Sequence, residues 1–488
     1  MKSGKNLLLP LILVLLLIPF LQSMTLLFPE TKLNGFVLLN PRPDLKRFSW
    51  HRWFDGSFQE DYSKRREDHI GLRNTLFRLH NQYDFSLFGI THAQGFIKGR
   101  EGNLFEEDYI HEYTGNYFIG KKVWEKKLWK LKQISDDLKS LHVDLIPVIE
   151  PGKASFYPEL IPSRFHPGNR NLSNHDFTLY LFDQMGIEYL DLNRYFLNMK
   201  DTSRYPLFPK YGMHWSIYGV TLAVDTLIKY IEKVRNTDLP GFKIDGIDLS
   251  DSLRYTDNDI GNMLNLIFPL PKVKAAYPRI TFEYAPGKKR LKVLVIADSY
   301  YLNIVNGFAD QIFGKEEYWY YNSKVYPAII DNENPVYVDK SDLRKKLQEF
   351  DVILLMTSEI NMHCGYWNFI DEVYHAFHPD KIESKVYDIE NRIRNQREWF
   401  RFMFNKSRNQ GITLERSIRM DAEYSFYNDY ESLSDKNSED SIAHLAISIK
   451  KDPGWLKQIG EKARSRNLPL EEMIDQDARY LYSTSKKK

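Results

Sequence analysis

The sequence predicts an α/β fold: a parallel sheet flanked by helices, with an N-terminal membrane anchor before it and an all-α module after it. Three observations carry this expectation. The run Lys292–Ala297 is apolar and β-branched and stops abruptly at Asp298-Ser299, as a strand buried on both faces does. Similar runs alternate with helix-like stretches, the rhythm of a doubly wound sheet. Near the C-terminus the chain repeats itself at helical spacing.

The first segment begins with Lys2 and Lys5 and continues as an apolar run from Leu7 to Phe28, broken only by Pro10, Pro19 and Gln22-Ser23. A span takes about 20 apolar residues, and no clean cleavage site follows. Residues 1–28 are therefore expected to be an uncleaved signal anchor, a transmembrane helix. The positive flank would stay in the cytoplasm, leaving a single-pass inner-membrane protein with its main domain on the periplasmic side. The formal net charge of +2 gives no general attraction to nucleic acid. Cys364 is the single cysteine, so no internal disulfide exists, and a buried small residue is expected there. Aromatic residues make up 14% of the chain, which suits a sugar-binding surface or a large core.

Residues 29–100 form a lead-in. Phe48, Trp50, Trp53 and Phe54 are expected to pack, and Tyr62–Tyr83, which includes Asp68, His69 and Arg73, to be helical. Phe96–Phe105 has glycines at its middle and should be a hairpin. An amphipathic helix is expected over Val123–Leu141. The strand Val143–Ile149 follows and ends in Glu150-Pro151-Gly152-Lys153. Next come the helix Leu179–Met185, the strand Ile187–Leu190 ending at Asp191, the helix Val220–Val234, the Lys292 strand, and Asp351–Met356 ending in Thr357-Ser358-Glu359. Four parallel strands would gather Glu150, Lys153, Asp191, Ser299 and Glu359 at one sheet edge, where open α/β sheets place their ligands.

Ser299 stands where a nucleophile belongs, although Asp and Ser also cap helices. A serine needs a base, and His214 in Tyr211-Gly212-Met213-His214-Trp215 is the candidate. A lone histidine of this kind is more often a capping or core residue.

Together these residues resemble the SGNH hydrolase-like domain of the alginate O-acetyltransferase family, the AlgJ and AlgX type. The resemblance runs from about Trp50 to Phe369 and covers Phe96–Phe105, Pro151–Glu159, His214-Trp215 and Asp298-Ser299. The family motif is Asp-x-His-Trp with a later Ser. His214 and Ser299 carry over as catalytic residues, with Asp298, Trp215 and Glu359 in support, but the Asp position holds Gly212. Three possibilities stay open for the third member: another carboxylate, a backbone carbonyl, or a dyad.

The resemblance implies an SGNH-hydrolase-like sheet over residues 29–378 and acyl transfer without metal or cofactor. The backbone N–H after the strand, with Asn303 or Asn361, would serve as oxyanion donor. The acceptor would be an exported polysaccharide, and the acetyl donor a multipass membrane-bound acyltransferase. Two alternatives remain: a carbohydrate acetylesterase of the same fold, and a non-catalytic glycan-binding or assembly protein.

Residues 379–488 read as a helical module. Ile393–Tyr424 and Ile449–Tyr480 match at constant offset: Trp399 with Trp455, Lys406 with Lys462, Ile418 with Ile474, Asp421-Ala422 with Asp477-Ala478. Each copy reads as two helices joined by a short turn, and Glu431–Asp440 as a polar linker. The α/β part is expected to fold without residues beyond about Pro379.

Overall fold

The computed structural model describes residues 3–35, 48–67, 70–166, 168, 170–329, 334–432 and 438–485. Asp68, His69 and residues 433–437 of the expected linker lie outside the described residues.

Among the described residues there are ten strands: β1 Phe96–Lys98, β2 Leu104–Glu106, β3 Asp144–Glu150, β4 Leu190–Asp191, β5 Gly241–Ser250, β6 Ala275–Glu283, β7 Lys292–Ala297, β8 Lys315–Tyr320, β9 Lys324–Val325 and β10 Val352–Ser358. The central sheet has the order β4-β3-β10-β7-β8-β9. Its first five strands are mutually parallel and β9 is antiparallel to β8. Strand side chains alternate between faces, and β7 divides accordingly. Val293, Val295 and Ala297 join one core with Val220, Val224 and Leu227 of the helix Ile217–Arg235. Leu294 and Ile296 join the other, with Leu128, Leu131 and Ile134 of the helix Lys121–Ser140. A strand covered on both faces must be apolar throughout, so the run in the sequence is continuous rather than alternating.

Several details differ from expectation. The sheet has six strands, not four, because β8 and β9 extend it beyond β7. The strand expected over Ile187–Leu190 contracts to Leu190–Asp191. A separate antiparallel ribbon, β5 with β6, joins the parallel units. Tyr62–Tyr83 is not one helix: helices Ser57–Glu67 and Arg73–Phe88 flank Leu72, whose φ of 61° breaks the run. Trp50 and Phe54 are exposed, their rings stacking on each other, and Cys364 is exposed rather than buried.

The N-terminal run is the helix Ser3–Thr25, which contains Pro10 and Pro19 and exposes Leu13, Leu16 and Phe20. Among the described residues no helix is long and apolar enough to cross a membrane, so the expected anchor is not confirmed.

The C-terminal repeat is larger than its sequence signal. Each unit has three helices: Ile382–Asn395, Arg397–Gln410 and Leu414–Ser432, then Ser438–Lys451, Pro453–Ser465 and Leu470–Ser485. Equivalent positions share one core, including Val386 with Ile442, Met403 with Ile459 and Ile418 with Ile474. Polar pairs repeat as well. Lys406–Asp421 at 2.9 Å answers Lys462–Asp477, and Arg394–Glu415 at 2.6 Å answers Lys450–Glu471 at 2.8 Å.

This module is tied to the sheet domain by buried charge, against the expectation of easy separation. Glu383 is 3% exposed and pairs with Lys126 at 2.7 Å and Lys130 at 3.0 Å, both on the Lys121–Ser140 helix, and with Arg419 at 2.8 Å. Burial would raise its pKa, but Arg419, Lys126 and Lys130 outweigh that and hold it well below the carboxylate range.

Candidate active site

β7 delivers Asp298 and Ser299 to the carboxyl edge of the sheet. Asp298 is fully buried and saturated. One carboxylate oxygen accepts from the Tyr300 N–H at 3.0 Å. The other accepts from the Ser358 N–H and hydroxyl and the Asn361 amide, at 3.0, 2.5 and 2.8 Å. Asp298 thus cross-links the ends of β7 and β10 and fixes the turn on which Ser299 sits.

The His214 loop lies opposite. His214 Nε2 is 3.0 Å from Ser299 Oγ, and its Nδ1 is 2.7 Å from Asp259 Oδ2. The other oxygen of Asp259 accepts from the Met213 N–H at 2.9 Å and the Ile260 N–H at 2.7 Å, which sets the carboxylate plane. Among the three possibilities for the third member, a carboxylate occupies the position, brought by the segment between β5 and β6 rather than by the histidine's own loop.

Gly212 explains why. A Cβ at this position would strike the Thr256 carbonyl oxygen. The Thr256–Ile260 segment passes directly over Gly212, and the Gly261 N–H donates to the Tyr211 carbonyl at 3.0 Å. Close backbone approach of this kind requires glycine.

Lys153 anchors the same loop from beneath. It is 1% exposed, and its ammonium donates to the carbonyls of Leu104, Pro209, Lys210 and Gly212 at 2.7, 2.7, 3.1 and 2.8 Å. Burial pulls its pKa down to about 7, while the carbonyls favour the charged form. Trp215 is wholly buried, with its ring 5.2 Å from that of Tyr300, and is a core anchor for the loop. The Tyr300 hydroxyl donates to the Met213 carbonyl at 3.1 Å.

Other expected residues take different places. Asn361 spends its amide on Asp298 and Ser358. Asn303 donates one N–H to the Thr256 hydroxyl at 3.0 Å, so of the two side-chain amides expected as oxyanion donors Asn361 is committed elsewhere and Asn303 is held by one of its two N–H groups. The Tyr300 N–H is likewise taken by Asp298. Glu359 and Asp191 belong to a neighbouring cluster. Glu359 accepts from Asn193 at 2.6 Å and Ser155 at 2.5 Å, and His175 stands 3.8 Å from Glu359 and 3.9 Å from Asp191. Glu150 is buried, and no donor among the described residues reaches either of its oxygens. Burial, then the charge of Asp298 and the approach of the two carboxyl groups, raises its pKa well above the carboxylate range.

Two residues escaped the sequence reading. Asp259 shares its stretch with Asp251 and Asp257, and no spacing singles it out. Glu106, at the end of β2, has its pKa raised to about 7 by burial, with His214 opposing and Asp108, Asp259 and Asp298 reinforcing the rise.

Residues 96–244 match the family model described as ALGX: SGNH hydrolase-like domain, acetyltransferase AlgX. The middle of the α/β part is thus similar to the SGNH hydrolase-like domain of acetyltransferase AlgX. His214 falls within the matched span, and Asp259 and Ser299 lie beyond it. Similar solved structures include the O-acetyltransferase domain of Pseudomonas putida AlgJ, at 15% identity and TM-score 0.37, covering 58% of this chain and 99% of that one. Pseudomonas aeruginosa AlgX matches at 13% identity and TM-score 0.38, covering 57% and 67%. Bacillus cereus PatB1 matches at 14% identity and TM-score 0.33, covering 55% and 96%. No curated protein matches the chain.

Proposed function

We propose that this chain is an O-acetyltransferase for an exported polysaccharide, working through an acyl-enzyme on Ser299. The observation that carries the reading is the continuous hydrogen-bonded line Ser299 Oγ–His214 Nε2 and His214 Nδ1–Asp259. In this arrangement Ser299 Oγ attacks the acetyl carbonyl while His214 takes its proton, then passes it to the departing oxygen. Asp259 holds the imidazole in the tautomer that leaves Nε2 free to accept. In the second half, a sugar hydroxyl gives its proton to His214 and attacks the acyl carbon; the bond to Ser299 Oγ then breaks as His214 returns the proton to that oxygen. With the Tyr300 N–H engaged, the backbone donor proposed for the oxyanion is the N–H of Ser299 itself.

The non-catalytic alternative rested on glycine replacing an acid at position 212, and Asp259 removes that ground. The family type supports acetyl transfer; the polysaccharide acceptor, the multipass acyltransferase donor and an extracytoplasmic location are part of the proposal. The location is motivated by the Lys2 and Lys5 flank and the exposed leucines of the first helix. An inactive C-terminal alkaline phosphatase fusion, made at normal levels, would count against it. For the chemistry, Ser299→Ala and His214→Ala should each abolish acetyl release from a chromogenic ester, because such residues act as a unit. Full activity in Ser299→Ala, or no acetyl group on Ser299 by mass spectrometry, would overturn the enzyme reading.

A further inference from the structure

The helix Arg73–Phe88 carries His80 and Asp84 one turn apart, the spacing at which two side chains share a face. The helix ends at Gly89, whose φ of 68° turns the chain back. The Ile90 N–H donates to the carbonyl of Asp84 itself at 3.3 Å, and the return brings His92 onto the same face. His92 Nε2 lies 2.6 Å and His80 Nε2 3.5 Å from one oxygen, Asp84 Oδ2. All three donor atoms lie within 4.8 Å of one another.

An ion pair would explain one histidine but not two. The rings of His80 and His92 are tilted at 33° with centroids 4.6 Å apart, and a ring nitrogen of each is directed at the same carboxylate oxygen. Two imidazole nitrogens and one carboxylate oxygen converging on a point are a familiar donor set for zinc. In a four-coordinate site the donor atoms stand about 3.3 Å apart, given metal–ligand bonds of about 2.0–2.1 Å. All three side chains are at least partly open to solvent, which leaves them room to rotate toward that geometry.

We propose that His80, Asp84 and His92 bind a divalent transition-metal ion of the zinc class, with a fourth position left to solvent. The ion clips the return loop to the helix. That loop and helix contribute Phe85, Ala93 and Phe96 to the packing around Leu104, Tyr211, Ile260 and Leu264. Tyr211 adjoins Gly212 and Ile260 adjoins Asp259, so the clip buttresses the two segments that meet at His214. Its role is structural, and the proposal does not depend on which reaction the serine performs.

The test uses the full-length protein stripped with a chelator and titrated calorimetrically with zinc ion alone. One ion per chain should bind, and the melting temperature should rise on loading. Cobalt in place of zinc should give the intense visible bands of a four-coordinate ion with nitrogen and oxygen donors. His92→Ala and Asp84→Asn should each abolish the tight phase, whereas His166→Ala, outside the cluster, should leave it intact. The altered side chains are not core residues, so metal-free variants should keep the circular dichroism of the wild type. Failure to bind zinc, six-coordinate cobalt spectra, or zinc uptake unchanged in the His92→Ala/Asp84→Asn double variant would overturn the proposal. Where a variant does not fold, the wild-type cobalt spectrum decides.

Discussion

At the scale of single residues, Asp259 and Gly212 form one device. Asp259→Asn would keep the shape but present an amide to Nδ1, favouring the wrong imidazole tautomer. A loss of about 10³–10⁴ in kcat is expected, with ester KM little changed. Gly212→Asp, which would reinstate the family's acid, should lower activity, because its Cβ collides with the Thr256 carbonyl. Steady-state kinetics on an acetyl ester check both, and a gain in Gly212→Asp would contradict the packing argument. Glu106 makes a separate prediction. Its carboxyl titrates near 7 when folded against 4.5 when free. Between those values the native state holds the extra proton, so stability falls as pH rises from about 4.5 to 7 and stays low above. Glu106→Gln removes that loss and should stabilise the protein by about 2–3 kcal/mol more at pH 8 than at pH 5, read from denaturant melts at the two values. Ser299 and His214 were legible because each stands in a short, recognisable context. Asp259 was not, because what selects it is a backbone crossing between segments distant in sequence.

Secondary-structure elements show a similar division. Strands buried on both faces announce themselves by continuous apolar character, and β3, β7 and β10 were readable to within a residue or two. The ribbon β5–β6 was not, since Gly241–Ser250 mixes exposed lysine and aspartate with partly covered apolar residues. The C-terminal repeat was detected from its second and third helices, whose Trp, Lys and Asp matches are conspicuous. The first helices share only apolar positions such as Val386 and Ile442, where any aliphatic residue suffices, so identity fades while structure persists. Ile418 and Ile474 are both fully buried. Ile418→Ala and Ile474→Ala should each cost about 2–5 kcal/mol and by similar amounts, measured by chemical denaturation. A tenfold disparity between their effects on the unfolding constant would argue against equivalent packing.

Across the whole molecule, the ionic cluster at Glu383 changes what a truncation would do. Cutting after Pro379 removes the carboxylate facing Lys126 and the nearly buried Lys130, leaving Asp371 to pair with Lys127 and Lys130 at 2.9 and 2.6 Å. The shortened chain should melt well below the full protein and less cooperatively. Glu383→Gln isolates the effect: it leaves Lys126, Lys130 and Arg419 crowded without their common counter-charge and should cost about 3–5 kcal/mol. A truncated protein with an unchanged thermal transition would show that the helices are an independent appendage after all.

The crossing over Gly212 also constrains how such a site can change its wiring. An acid two residues before the histidine and a segment passing over that position exclude each other in space. A lineage moving between the two arrangements could not do so by one substitution: placing aspartate at 212 first would displace the carboxylate paired with His214, and removing Asp259 first would leave the imidazole unsupported. If each single step lowers activity as predicted, the two solutions stand on opposite sides of a fitness valley. An engineer wishing to return the acid to the histidine's loop would have to rebuild the 254–260 crossing in the same design.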